Sequence, residues 1–228
     1  MRKSLYVLII TIIIISCFGI SISKEPSIIE NNSSPKEKKE EPIETINIEE
    51  YTNDIVGTLY IPDTEFKATI TQTTDNIYYL NHDVDGNSKS KGNPFLDYRD
   101  SISNSKVLRI YGHNSRTINT EFHILEEYYK EKYYKDHPYI YFDTNEGTKK
   151  YQVFSSYIEA QDWSYYNVNF NNETTYKKEL IKYKNKSLYN TGVEVSEKDR
   201  ILILQTCSYD KKYAKYKNKF LLIMAKEV

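Results

Sequence analysis

From Ile55 onward the apolar residues fall into short runs separated by turn formers, and this spacing limits the fold more than any other feature. Ile55–Ile61 ends at Pro62, and Ala68–Thr73 follows after a polar turn. Pro94–Tyr98, Val107–Tyr111, Tyr139–Asp143, Tyr151–Glu159, Arg200–Thr206 and Lys219–Lys226 have the same character. Runs of that length, rich in Ile, Val, Tyr and Phe and bounded by Gly, Asn, Asp or Pro, read as β-strands. Two segments break the pattern. Glu121–Lys135 carries Phe122, Leu125, Tyr129 and Tyr133 at helical spacing and stops before Pro138. Thr174–Leu188 is amphipathic, with Tyr176, Leu180, Ile181 and Leu188 expected towards the core. Ile77–Leu80 reads as a helical turn or bend. The expectation is a mainly β barrel or sandwich with two or more inserted helices.

The N-terminus is a separate matter. Arg2 and Lys3 precede an apolar run of roughly 18 residues, near the lower limit for crossing a bilayer. The flanking charges favour an N-inside orientation, and there is no A-x-A cleavage signature. Residues 1–23 are therefore read as a retained signal anchor in the cell membrane. The alternative is a lipoprotein signal ending at Cys17, within Ile14-Ile15-Ser16-Cys17. Residues 24–50 are charged and poor in apolar side chains, which fits a solvated tether. Residues 51–228 form the outer domain. The formal net charge is −1, so no basic field points to nucleic acid. Seven glycines and the absence of GxxxxGK[ST] and GxGxxG give no phosphate-binding loop. No cofactor is implied, and the absence of HExxH and CxxC gives no zinc spacing.

Cysteine usage narrows the chemistry. The chain has two cysteines, and with Cys17 assigned to the anchor, Cys207 is the lone thiol of the outer domain. A lone extracellular thiol is inert and buried, a partner for another chain, or kept for reactivity. Cys207 follows the apolar strand and precedes a Lys/Tyr loop, which puts it at a strand end. A thiol with a pKa near ~8.5 needs a base or a cation to become a nucleophile at neutral pH. Of the four histidines, His82 sits in a polar loop, His123 within the first helical segment and His137 before Pro138. His113 follows Val107–Tyr111 and one glycine, so a second strand end carries an imidazole. Spacing alone leaves a structural role for His113 open.

The ordered motifs extend this reading. Ile203-Leu204-Gln205-Thr206-Cys207 resembles the TLxTC motif of sortases, and Tyr111-Gly112-His113-Asn114 looks like the segment bearing the catalytic histidine of that family. Ile55-Val56-Gly57, Asn76 with Tyr79-Leu80-Asn81-His82, Phe95-Leu96-Asp97-Tyr98-Arg99, Lys198-Asp199-Arg200 and Ala225-Lys226 fall in the order seen in class B sortases. The resemblance spans residue 55 to the C-terminus. It implies a closed eight-stranded β-barrel, preceded by the membrane segment, in which Cys207 attacks the Thr carbonyl of an NPxTx-like sorting motif. His113 would protonate the leaving amine. A peptidoglycan-precursor or pilin amine would then resolve the thioacyl enzyme. Partners would be sorting-signal-bearing surface proteins and, through the N-terminal helix, the lipid bilayer.

One departure stands out. Sortases carry an Arg at the start of the last strand, and here no Arg follows Arg200. Lys219 aligns best and Lys217 is the alternative. A Lys keeps the charge but loses the planar fork. Thr206, Tyr111 and Ser208 are candidate substrate-binding residues, and Asp97 and Arg99 read as structural. The missing Arg also supports a second function, a sortase-fold surface docking protein with little turnover. A papain-like hydrolase fits less well, because its cysteine opens a helix early in the domain.

Overall fold

The computed structural model describes residues 54–167 and 172–228. The anchor of residues 1–23, the tether of residues 24–50 and Cys17 lie outside the described residues. Eight strands close into one barrel in the order β1-β2-β3-β4-β7-β8-β6-β5. They are β1 Ile55–Tyr60, β2 Lys67–Thr71, β3 Phe95–Leu96, β4 Val107–Tyr111, β5 Tyr139–Thr144, β6 Gly147–Glu159, β7 Ile201–Cys207 and β8 Phe220–Glu227. Most neighbours are antiparallel, but β2–β3 and β4–β7 are parallel. The expected barrel is present, with strand bounds that differ by a few residues at most. Pro94–Tyr98 shrinks furthest, to Phe95–Leu96, because the chain then turns so that Asp97 accepts hydrogen bonds from Arg99.

Alternation along β7 shows why its sequence is apolar without a break. Leu202 and Leu204 enter the barrel interior with Leu59, Ile70, Ile110, Phe142 and Ile223. Ile201 and Ile203 face outward and are covered by the helix α2, Glu173–Asn185, through Tyr176, Leu180 and Tyr183. β8 divides in the same way, with Leu221 and Ile223 inside and Leu222 and Met224 outside. A strand buried on both faces has no polar side to display.

The helical segments depart from expectation in two places. Glu121–Lys135 is not one helix. It is a 3-10 helix over Glu121–Tyr129, broken at Lys130 in extended conformation, followed by α1, Glu131–Asp136. The three-residue spacing of Phe122, Leu125 and Tyr128, all fully buried, suits the tighter turn. Tyr128 and Tyr134 are therefore the deeply placed tyrosines, while Tyr129 and Tyr133 lie at the margin. In α2, Tyr183 takes the core position. Ile181 and Leu188 are exposed.

Two ion pairs fasten β4 to its surroundings, one of them buried on both sides and the other with its Asp buried and its Arg exposed. Arg109 donates from Nη1 to Asp100 at 2.7 Å and from Nε to the Tyr165 carbonyl at 3.2 Å, and its backbone N–H meets Asp100 at 2.8 Å. Asp97 is fully buried and accepts from Arg99 and from the Tyr111 hydroxyl at 2.7 Å. Removing one partner of such a pair leaves an uncompensated buried charge. Asp100→Ala is expected to lower unfolding free energy by about 3–5 kcal/mol. Urea unfolding at pH 7.5 checks this, since the Asp100 carboxyl, pushed up to about 6 by burial, is ionised there.

Candidate active site

The parallel pairing of β4 and β7 sets the geometry of the site. Their register runs Val107 against Ile201 through Tyr111 against Gln205. It continues past the end of β4, where the Gly112 N–H donates to the Gln205 carbonyl at 3.1 Å and the Thr206 hydroxyl donates to the Gly112 carbonyl at 2.8 Å. His113 and Cys207 are the next residues on neighbouring strands about 4.8 Å apart. By alternation both leave the sheet on its outer face, with Tyr111 and Gln205. Gly112 lets the 3-10 helix pack close to the strand end: a Cβ there would meet the Phe122 ring at 2.5 Å.

Asn114 locks the two strand ends together. Its amide donates to the Cys207 carbonyl at 3.0 Å and to Glu126 at 2.8 Å, and its oxygen faces His123 Nδ1 at 2.7 Å. Since both amide hydrogens are used, the oxygen accepts, and His123 Nδ1 carries the hydrogen. The Tyr209 hydroxyl donates to the Asn114 carbonyl at 3.0 Å. Sequence reasoning gave Asn114 no role. Its place beside His113 was the only signal.

His113 is held by the segment before β3. Its Nε2 lies 2.7 Å from the Leu80 carbonyl. A carbonyl only accepts, so Nε2 donates and Nδ1 is left as the basic nitrogen. Burial lowers the His113 pKa, while the Leu80 carbonyl and the charge of Glu121 pull it back up. The other histidines have local duties. His82 stacks on Tyr78, and His137 ends α1 and packs on Tyr133.

Cys207 is 7% exposed, in a cluster with Phe220 and Trp163. The chain's other cysteine, Cys17, lies outside the described residues. A nucleophilic role for Cys207 belongs to its thiolate form.

The remaining expected residues are placed as follows. In the antiparallel β7–β8 register, Cys207 stands opposite Phe220, and the Ser208 N–H meets the carbonyl of Lys219 at 3.0 Å. Phe220, not Lys219, thus occupies the β8 position across from the sulfur, and its ring sits 5.6 Å from Trp163. Alternation turns Lys219 to the other face, where Nζ donates to the Tyr216 carbonyl at 3.3 Å. Lys217 is exposed. Thr206 is buried on the inward face with its hydroxyl on Gly112. Ser208 shares a hydrogen bond with the Tyr129 hydroxyl at 2.8 Å. Tyr111 is buried, with its hydroxyl on Asp97 and its ring 6.0 Å from Tyr166. The hydroxyls of Tyr165 and Tyr166 both donate to Gln205 beside it. Among the described residues no cluster of three or more His, Cys, Asp or Glu is suited to a metal ion.

The sequence profile of the sortase domain matches residues 59–228. The chain belongs to the sortase family. It is 36% identical to sortase B of Staphylococcus aureus over 162 residues, 71% of this chain and 66% of that protein. Against sortase B of Listeria monocytogenes it is 33% identical over 170 residues, 74% of this chain and 69% of that protein. The match thus spans about two thirds of the length of these curated relatives. A solved sortase B from Listeria monocytogenes superposes with a TM-score of 0.69 at 31% identity, covering 78% of this chain and 97% of that one. The relatives and structural neighbours are class B sortases.

The balance at His113 gives a direct expectation. Burial disfavours the imidazolium, so its NMR titration midpoint should lie below about 6.5, the unperturbed value. Glu121 favours the imidazolium, so Glu121→Gln should lower the midpoint further. A midpoint above the unperturbed value would contradict the assignment.

Proposed function

We propose that this chain is a membrane-anchored cysteine transpeptidase, which cleaves a C-terminal sorting motif of the NPxTx kind in surface proteins. It then joins them to a cell-wall or pilin amine. The observation that carries the reading is the β4–β7 register, which puts His113 and Cys207 at adjacent strand ends on one face of the barrel. A Staphylococcus aureus sortase B–substrate complex and a sortase B complexed with triglycine share this fold, with TM-scores of 0.70. They support a peptide and an amine as the two reactants. The apolar run in residues 1–23 supports anchoring with the catalytic domain outside.

In the proposed reaction the reduced Cys207 sulfur, as thiolate, attacks the Thr carbonyl carbon of the sorting motif. The tetrahedral adduct collapses as the scissile C–N bond breaks. His113, protonated at Nδ1, gives its proton to the departing amine, and a thioester remains on Cys207. Fixing the imidazole through Nε2 at Leu80 orients Nδ1 for that transfer. No β8 cation stands opposite the sulfur, since Phe220 holds that place. One oxyanion donor contributes about 3 kcal/mol in other acyl-transfer enzymes. A slow enzyme follows. The same observation favours the second reading, a docking protein of sortase fold with little turnover.

The test is a panel of sorting-motif peptides incubated with the protein under a thiol reductant, with mass detection of the acyl-enzyme and of cleavage. The reduced protein should form a thioester at Cys207 that hydroxylamine releases. Cys207→Ala should form none. Phe220→Arg should raise kcat/KM at least tenfold, whereas Lys219→Arg should change it little. Undiminished cleavage by Cys207→Ala would refute the enzyme reading. No thioester with any peptide would favour the docking reading.

A further inference from the structure

The loop that follows Cys207 gathers cations at one rim of the barrel. Between β7 and β8 the chain reads Tyr209-Asp210-Lys211-Lys212-Tyr213-Ala214-Lys215-Tyr216-Lys217-Asn218-Lys219. Lys211, Lys212, Lys215 and Lys217 are exposed. Arg116 joins them from the segment after His113: it donates to the Tyr209 carbonyl at 3.0 Å and lies 4.6 Å from the Tyr209 ring. The nearby acids are engaged elsewhere. Asp210 accepts from the Lys212 N–H, and Glu126 accepts from Asn114. Among the described residues none of these cations forms an ion pair, whereas Lys132, Lys135, Lys184 and Lys186 each do. The formal net charge of the whole chain is −1, so the excess is local.

Apolar and aromatic groups are set among these charges. Ile118, on the same segment as Arg116, is 42% exposed. Tyr213 and Tyr216 are half-buried with ring centroids 6.3 Å apart, and Lys215 Nζ is 4.9 Å from the Tyr216 ring. A soluble polyanion needs only the charges. Isoleucine and tyrosine interleaved with lysine suit a boundary between phosphate and hydrocarbon. There aromatic rings sit at headgroup level and lysine stems lie along apolar surface.

We propose that this rim docks on the phosphate headgroups of an anionic bilayer. The inference rests on the membrane-anchored part of the reading above, not on its chemistry. An anchor at residues 1–23 brings the domain to the bilayer but turns no particular face towards the lipid. Four exposed lysines and an arginine do so, because every cation close to an anionic surface adds to the attraction. That pull decays within a Debye length, about 10 Å at 0.1 M salt, so only the cationic rim feels it. Ile118 enters the boundary beside them. His113 and Cys207 stand at the strand ends of this rim, so docking holds the pair at headgroup height, where a donor or acceptor tethered to lipid is presented. The opposite rim, with the β5–β6 turn and the start of β7, points away from the bilayer.

The test labels lysines with an uncharged acylating reagent in the full chain, reconstituted into discs of phosphatidylglycerol or of phosphatidylcholine, and reads each site by mass spectrometry. Lys198 is exposed and precedes β7, so it reports on the opposite rim. Relative to Lys198, the four loop lysines should label at least about fivefold more slowly in phosphatidylglycerol than in phosphatidylcholine. Salt at about 1 M should remove the difference. Lys215→Gln combined with Lys217→Gln should lose most of the protection at Lys211 and Lys212, and Ile118→Ser should lose part of it. All three positions are exposed, so the fold is kept. Equal labelling in the two lipids, with the chain retained in both, overturns the docking surface and leaves the anchored transpeptidase reading standing. A chain retained by neither lipid overturns docking and anchoring together. Protection by soluble polyphosphate in phosphatidylcholine discs, with none in phosphatidylglycerol, assigns the rim to a soluble polyanion and also overturns the proposal.

Discussion

The parallel pairing of β4 with β7 is the constraint on which the rest of the molecule depends. In a parallel ladder the strands end at the same rim, so two residues far apart in sequence emerge side by side. The Thr206–Gly112 bond extends the ladder one step, and Asn114 closes it through the Cys207 carbonyl. The interior packing of Leu108, Ile110, Leu202 and Leu204 keeps this register in place. A slip of one residue would turn every one of these side chains to the wrong face.

Charge is distributed around this rim with equal consequence. The pairs Asp100–Arg109 and Asp97–Arg99 lie behind the site, where they fix β4 and the Tyr165–Tyr166 turn. The face towards the sulfur is aromatic, with Phe220 and Trp163. His113 therefore feels the charge of Glu121, while uncharged rings cluster with the sulfur. The aromatic β8 position across from the sulfur accounts for the proposed slow acyl transfer.

The barrel was legible because β-period runs recur with turn residues between them, and β7 was legible because burial on both faces removes every polar position. The motif residues at positions 113 and 207 were legible by family resemblance. Their adjacency was not, since nothing local distinguishes a parallel from an antiparallel partner for Val107–Tyr111. The break at Lys130 escaped notice because three- and four-residue spacings overlap when tyrosines occur at 128, 129, 133 and 134. Which β8 residue stands across from the sulfur was not legible either. A one-residue offset at the start of β8 reverses the face, and only the pairing of Cys207 with Phe220 settles it. Asn114, Glu121 and His123 act through contacts across long sequence distances or from a helix start, where single-sequence patterns carry no signal.

Proximity of imidazole to sulfur is the claim from which the chemistry descends. Its most direct measurement is the pH profile of iodoacetamide alkylation at Cys207 in the reduced protein, read on that peptide by mass spectrometry. An imidazolium beside the sulfur stabilises the thiolate, so the profile should carry an inflection from His113 titration. In His113→Gln that inflection should vanish and the rate at mildly acidic pH should fall severalfold. Superimposable profiles for the two proteins would contradict the account.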